Sequence, residues 1–147
     1  AAMRETFALI EKAVGHLDMV VANAGTMPGL SQPPGAVPDA LEASCFRTNV
    51  DGAHWTVKFA LPLLAKAPPG FHRTVVYVSS CEGYLTNPTP ANGLLAYRSS
   101  KAAVNGHMVG LHQLYVTDDP MAVMIRGGAE SRLHRVVSVH PGYVATS

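Results

Sequence analysis

The stretch "RTVVYVSS", Arg73 to Ser80, decides how this chain is read. Val75 to Val78 are apolar without interruption, and polar residues bound them on both sides. A short apolar run of this kind marks a strand buried on both faces, as in a parallel sheet. Its C-terminal end carries two hydroxyls, Ser79 and Ser80. Two further stretches share the design: "LDMVVANAG", Leu17 to Gly25, and "RVVSVHPG", Arg135 to Gly142.

Helical patterns separate these strands. In "AAMRETFALIEKAVG", Met3, Phe7, Ile10 and Val14 recur every three or four residues, and Gly15 ends the run. A long helical pattern extends from Pro38 to about Lys66, with Pro38 suited to the first helical position and Pro62 expected to bend the later part. Another runs from about Leu95 to Tyr115. The segment "TDDPMAVMIRGGAESR" reads as a polar, Gly-rich surface excursion. Strands alternating with helices predict parallel βαβ units in a Rossmann-like, three-layer α/β/α sandwich, one domain over residues 1–147. In such sheets the chemistry gathers at the C-terminal strand ends, so "NAG", "SS" and "HPG" should share one rim.

Composition narrows the field. A formal net charge of +1, with scattered Lys and Arg, gives no electrostatic footprint for nucleic acid or for an anionic membrane. No stretch reaches the roughly 18–20 apolar residues of a membrane span, and no signal-peptide layout opens the chain, so a cytoplasmic protein is expected. Cys45 and Cys81 are too few for a disulfide framework, and the seven histidines show no HxxxH or HExxH spacing, so no metal site is expected.

The stretch "AYRSSKAAVNG", Ala96 to Gly106, places Tyr97 four residues before Lys101, on one helical face. A phenol has a pKa near ~10, and work as a base near neutral pH asks for about three units of depression, or about 4 kcal/mol. A lysine charge at about 5 Å, in an effective dielectric of about 20, supplies roughly 3 kcal/mol of that. Five tyrosines and four lysines would by chance give only about 0.14 such pairs, yet most YxxxK pairs are plain helix surface. Ser80 sharpens the reading, because a strand-end hydroxyl beside Tyr97 could donate to a carbonyl oxygen that Tyr97 protonates. Asn49, in "RTNVDG", is a poor residue for a helix interior and offers an amide to a water or a backbone group.

Taken together, "NAG" (Asn23 to Gly25), "TN" (Thr48 and Asn49), "VSS" ending at Ser80, "YRSSKAAVN" (Tyr97 to Asn105) and "HPGYVAT" (His140 to Thr146) resemble the short-chain dehydrogenase/reductase family, in its order and over nearly the whole chain. In detail "YRSSKAAVN" and "HPGYVAT" look most like the branch of sniffer-type and C-factor-like carbonyl reductases. The resemblance implies an NAD(P)-dependent oxidoreductase, with NAD or NADP left open and a small carbonyl or alcohol as substrate. It implies Tyr97 as proton donor or acceptor, Lys101 lowering its pKa and holding the nicotinamide ribose, Ser80 on the carbonyl oxygen, and Asn49 positioning a water in a proton relay. Asn23, Ala24 and Gly25 would line the cofactor side, and Pro141, Gly142, Val144 and Thr146 would embrace the nicotinamide end. The two long helices would pair subunits into a homodimer or homotetramer.

The sequence departs from that pattern in lacking the opening strand and Gly-rich phosphate turn, and so reads as truncated at both ends, with an unpaired sheet edge. Ser80 and Tyr97 stand 17 positions apart, a longer gap than the family's usual one, so the intervening loop is expected to bulge over the site. A rival reading is a scaffold that binds no dinucleotide and acts by interaction. A serine hydrolase is disfavoured because no GxSxG elbow is present.

Overall fold

The computed structural model describes residues 2–86, 93–128 and 131–141. In chain order they form α1 (Ala2–Val14), β1 (Met19–Ala22), α2 (Asp39–Phe46), a π turn (Arg47–Asp51), α3 (Gly52–Ala65), β2 (Thr74–Val78), α4 (Leu95–Tyr115), α5 (Pro120–Ile125) and β3 (Arg135–Val139). Val20, Val75 and Val136 stand side by side across three parallel strands in the order β1-β2-β3.

That row points inward with Ala22 and Tyr77, and meets Ala53, Val57, Ala60 and Leu64 of α3 and Val104 and Leu111 of α4. Each valine buried there contributes roughly 1.5–3 kcal/mol, which ties the two helices to the sheet more firmly than helix propensity could. α1 lies against α3, with the Phe7 and Phe59 rings 6.3 Å apart. On the opposite face Met19, Val21, Val137 and Val139 are exposed. Among the described residues the sandwich is thus the sheet and one helical layer.

Tyr77 is fully buried in mid-sheet. Burial pushes its phenol above its ordinary pKa. The hydroxyl is satisfied by His107 Nδ1 of α4 at 3.0 Å, and His107 Nε2 lies 3.2 Å from His54 Nδ1 of α3. This chain of polar contacts fixes α3 and α4 to each other above the strand, since a buried phenol without a partner would cost free energy.

Several local expectations are met. Gly15, at φ +79°, closes α1 with its N–H on Glu11 O at 2.9 Å, a backbone state open to glycine at no steric cost. The helical pattern from Pro38 to about Lys66 is continuous as α2, the π turn and α3. Others shift. Pro38 is the extended residue that precedes α2, one position earlier than expected, and its carbonyl accepts the N–H groups of Leu41 and Glu42. Pro62 lies inside α3, where it gives no N–H to the ladder, and a π turn precedes that helix. The excursion after α4 contains α5, capped by Asp119, whose carboxylate accepts Ala122 N–H at 3.0 Å. Arg126 follows it and is buried, donating to the carbonyls of Leu114, Thr117 and Gly128 and so sealing the end of α4.

Candidate active site

The three strand ends deliver their polar segments to one rim, and α4 brings Tyr97 in its first turn and Lys101 one turn later. Lys101 is buried, and its Nζ donates to Val78 O, the last carbonyl of β2, at 2.7 Å. It lies 5.7 Å from the centre of the Tyr97 ring. Tyr97 is half-buried. Burial raises its pKa, a hydrogen bond from the Ser80 hydroxyl acts against this, and the neighbouring Cys45, Cys81 and Glu82 add smaller upward pushes. Burial lowers the pKa of Lys101.

The phenol of this structure is held above its ordinary value, first because desolvation penalises the phenolate.

Ser80 is placed by three groups that the sequence reading did not single out. Its Oγ accepts Glu82 N–H at 3.2 Å and caps a 3-10 turn at Cys81–Gly83. Gly83 lies directly on α4, where a Cβ would stand 2.8 Å from the carbonyl carbon and 2.9 Å from the carbonyl oxygen of Lys101. Asn105, one turn beyond Lys101, donates to Gly83 O at 3.3 Å and accepts the Ser79 hydroxyl at 2.6 Å. Asn105 stood within the quoted "YRSSKAAVN", and its spacing from Lys101 was the available signal. Gly83 offered none, since its role depends on a non-local approach. Beside this turn, the buried Glu82 carboxylate pairs with Arg98 Nε at 3.6 Å.

Asn49 is buried in the π turn. Its Oδ1 accepts Thr26 N–H at 2.8 Å, while its Nδ2 faces Thr26 O at 2.9 Å, Ser100 Oγ at 2.9 Å and Cys45 Sγ at 3.3 Å. Two amide hydrogens thus face three protein acceptors, so the side chain clips the loop beyond β1 to α4. The extra residue of the π turn aims it there, a common use of such turns. Cys45 stands four residues before Asn49, which was the available signal for that contact, whereas Ser100 comes from another helix and no local spacing relates it to them.

Gly25 faces both groups, since a Cβ on it would lie 3.4 Å from Asn49 Oδ1 and 3.5 Å from Lys101 Nζ. Asn23 and Ala24 are exposed just beyond β1, and Pro141 just beyond β3. Gly142, Val144 and Thr146, and most of the loop expected to bulge over the site, lie outside the described residues. A nicotinamide riboside fits what is present: Lys101 Nζ has three N–H donors and among the described residues gives one to protein, leaving two beside Gly25. The groups that would hold such a cofactor are therefore Lys101, Tyr97 and the Asn23–Gly25 loop. Among the described residues no group of three or more His, Cys, Asp or Glu is placed to hold a metal ion.

A parallel Rossmann-like sheet with a Ser–Tyr–Lys set on its C-terminal rim defines an oxidoreductase type of scaffold. The chain belongs to the short chain dehydrogenase family, whose model matches residues 1–147. It is 37% identical over 90 residues to an oxidoreductase, asL5, of Sarocladium schorii; the match takes in 61% of this chain and 32% of that protein. A short-chain type dehydrogenase/reductase from Mycobacterium marinum shares the fold, with a TM-score of 0.70, 23% identity and coverage of 96% of this chain and 49% of that one. A protein from Escherichia coli CFT073, assigned as a short chain dehydrogenase and complexed with NADPH, gives 0.65 at 25% identity, over 76% of this chain and 43% of that one. The chain spans about half the length of these solved relatives.

Proposed function

We propose that the chain carries the acid–base and nicotinamide-side half of an NAD(P)-dependent carbonyl reductase or alcohol dehydrogenase. The observation that carries this reading is the meeting of the Ser80 hydroxyl, the Tyr97 phenol and the Lys101 ammonium on one rim. With substrate bound, the single Ser80 hydroxyl hydrogen turns from the Tyr97 oxygen to the substrate carbonyl oxygen, and Tyr97 delivers a proton to that oxygen. A phenol held above its ordinary pKa is protonated near neutral pH and so carries the proton that reduction consumes. Lys101 holds ribose hydroxyls with its two spare donors. The nicotinamide, when bound, supplies the hydride.

NADPH is the first cofactor to try, because the Escherichia coli relative is complexed with it. The substrate is a small carbonyl compound, in line with the carbonyl-reductase branch that "YRSSKAAVN" resembles. We further propose a cytoplasmic protein that pairs through α3 and α4. Among the described residues no helix is long and apolar enough to cross a membrane.

The test is to titrate the chain with NADPH by nicotinamide fluorescence, then to follow NADPH consumption with 4-nitrobenzaldehyde. Tyr97→Phe should abolish turnover and spare binding; equal turnover in the two proteins would sink the assignment. The second reading is a non-catalytic scaffold that acts by interaction, and it expects no NADPH binding at all.

A further inference from the structure

Ser100 precedes Lys101, is wholly buried, and has no part in the roles given above. Its hydroxyl donates to Tyr97 O at 2.7 Å, and the same oxygen accepts Asn49 Nδ2–H at 2.9 Å. Asn49 in turn grips both backbone polar groups of Thr26, the residue after "NAG". An unbroken line of hydrogen bonds therefore runs from the cofactor-side loop, through the π turn, to the backbone of the residue that carries the phenol. Cys45 Sγ flanks it, 3.7 Å from Ser100 Oγ, but a sulfur is too weak an acceptor to replace the hydroxyl.

Serine is a poorer helix former than alanine, so at this interior position of α4 its hydroxyl costs helix stability unless it serves something outside the helix. The regular ladder of α4 does not require it. Removing the hydroxyl takes away the tie between the first turns of α4 and Asn49, while His107, Asn105 and the apolar core still hold the helix on the sheet; what this tie sets is the fine rotation at which Tyr97 meets Ser80 and Lys101 meets Gly25. We propose that Ser100 is a positioning residue, whose hydroxyl locks the rotation of α4 against Asn49 and thereby sets Tyr97 and Lys101 in register with the loop beyond β1. The catalytic part of this inference rests on the reductase reading; the structural part does not.

The experiment compares wild type, Ser100→Ala, Asn49→Ala and the double variant by amide hydrogen exchange and by NADPH-dependent reduction of 4-nitrobenzaldehyde. In Ser100→Ala the Thr26 amide should exchange about tenfold faster, as for the loss of one buried hydrogen bond, while Val75 and Val136 keep their protection. The kcat should fall by about tenfold or more with the KM for NADPH little changed, since small misplacements of reacting groups are costly. The double variant should be no slower than Asn49→Ala, because the two residues act as one unit. Unchanged exchange at Thr26 overturns the proposal whether or not the chain is active. So does faster exchange at Thr26, Val75 and Val136 alike, which would make Ser100 ordinary core. Wild-type turnover no better than that of Tyr97→Phe would refute the reductase reading alone and leave the exchange data to decide Ser100.

Discussion

Gly83→Ala tests the contact that holds the Ser80 turn on α4. The added Cβ would stand 2.8 Å from Lys101 C, 2.9 Å from Lys101 O and 2.9 Å from Asn105 Nδ2. The first two are backbone atoms of a 21-residue helix and cannot swing aside, so the turn must lift. Overpacking of this kind costs about 1–3 kcal/mol. For a chain of this size each kcal/mol moves Tm by roughly 3–4 °C, so a loss of about 3–12 °C is expected. Gly106→Ala is the internal control: it sits in the same helix, a Cβ there meets nothing within 4 Å, and its φ is not in the left-handed region. That change should raise stability by about 0.5–1 kcal/mol, because alanine loses less entropy than glycine in a helix. Thermal unfolding followed by circular dichroism reads both. Equal Tm values for Gly83→Ala and wild type would refute the account of how the turn is seated on α4.

Two further outcomes follow from the titrating groups. Among the described residues the Ser80 hydroxyl is the one contact that draws the Tyr97 phenol downward, so Ser80→Ala should move its ionisation further up; alkaline difference spectra against Tyr97→Phe would show this, and a fall would contradict it. His107 is pushed below the usual imidazole value of 6.5, first by burial and then by the charge of His54. Below 6.5 the unfolded chain then binds the proton more readily than the folded one, so this contribution to stability is complete above 6.5 and is lost as pH falls below it. His107→Gln should flatten the acid limb of a plot of Tm against pH; an unaltered slope would show that the contact between His54 and His107 does not govern it.

What the sequence discloses here is whatever is written locally. The apolar runs at Val20, Val75 and Val136 and the polar ends "NAG", "SS" and "HPG" place the strands and the rim, because period and punctuation are properties of neighbouring residues. Tyr97 and Lys101 are legible for the same reason. The seating of Gly83 on Lys101 is not, since it depends on two segments 18 positions apart meeting at backbone distance. Nor is the cluster of Cys45, Asn49 and Ser100, which joins two helices. The charge of Lys101 could be counted from spacing, whereas the loss of water around the Tyr97 phenol could not. α5 was within reach: "DDPMA" holds an acidic cap followed by proline at the first helical position, a start signal hidden by the Gly-rich tail behind it.

The π turn separates two properties of the long helix that are usually one. A regular α-helix advances about 100° per residue, so deleting any one residue from Arg47–Asp51 could restore an ordinary ladder and even strengthen the helix as a helix. The Asn49 amide, or whatever replaced it, would then leave Thr26 and Ser100 by the better part of a quarter turn or more. Helix content measured on such a variant would look improved while the rim came apart. In this chain, regularity and usefulness pull in opposite directions at one turn, and a single extra residue keeps the balance.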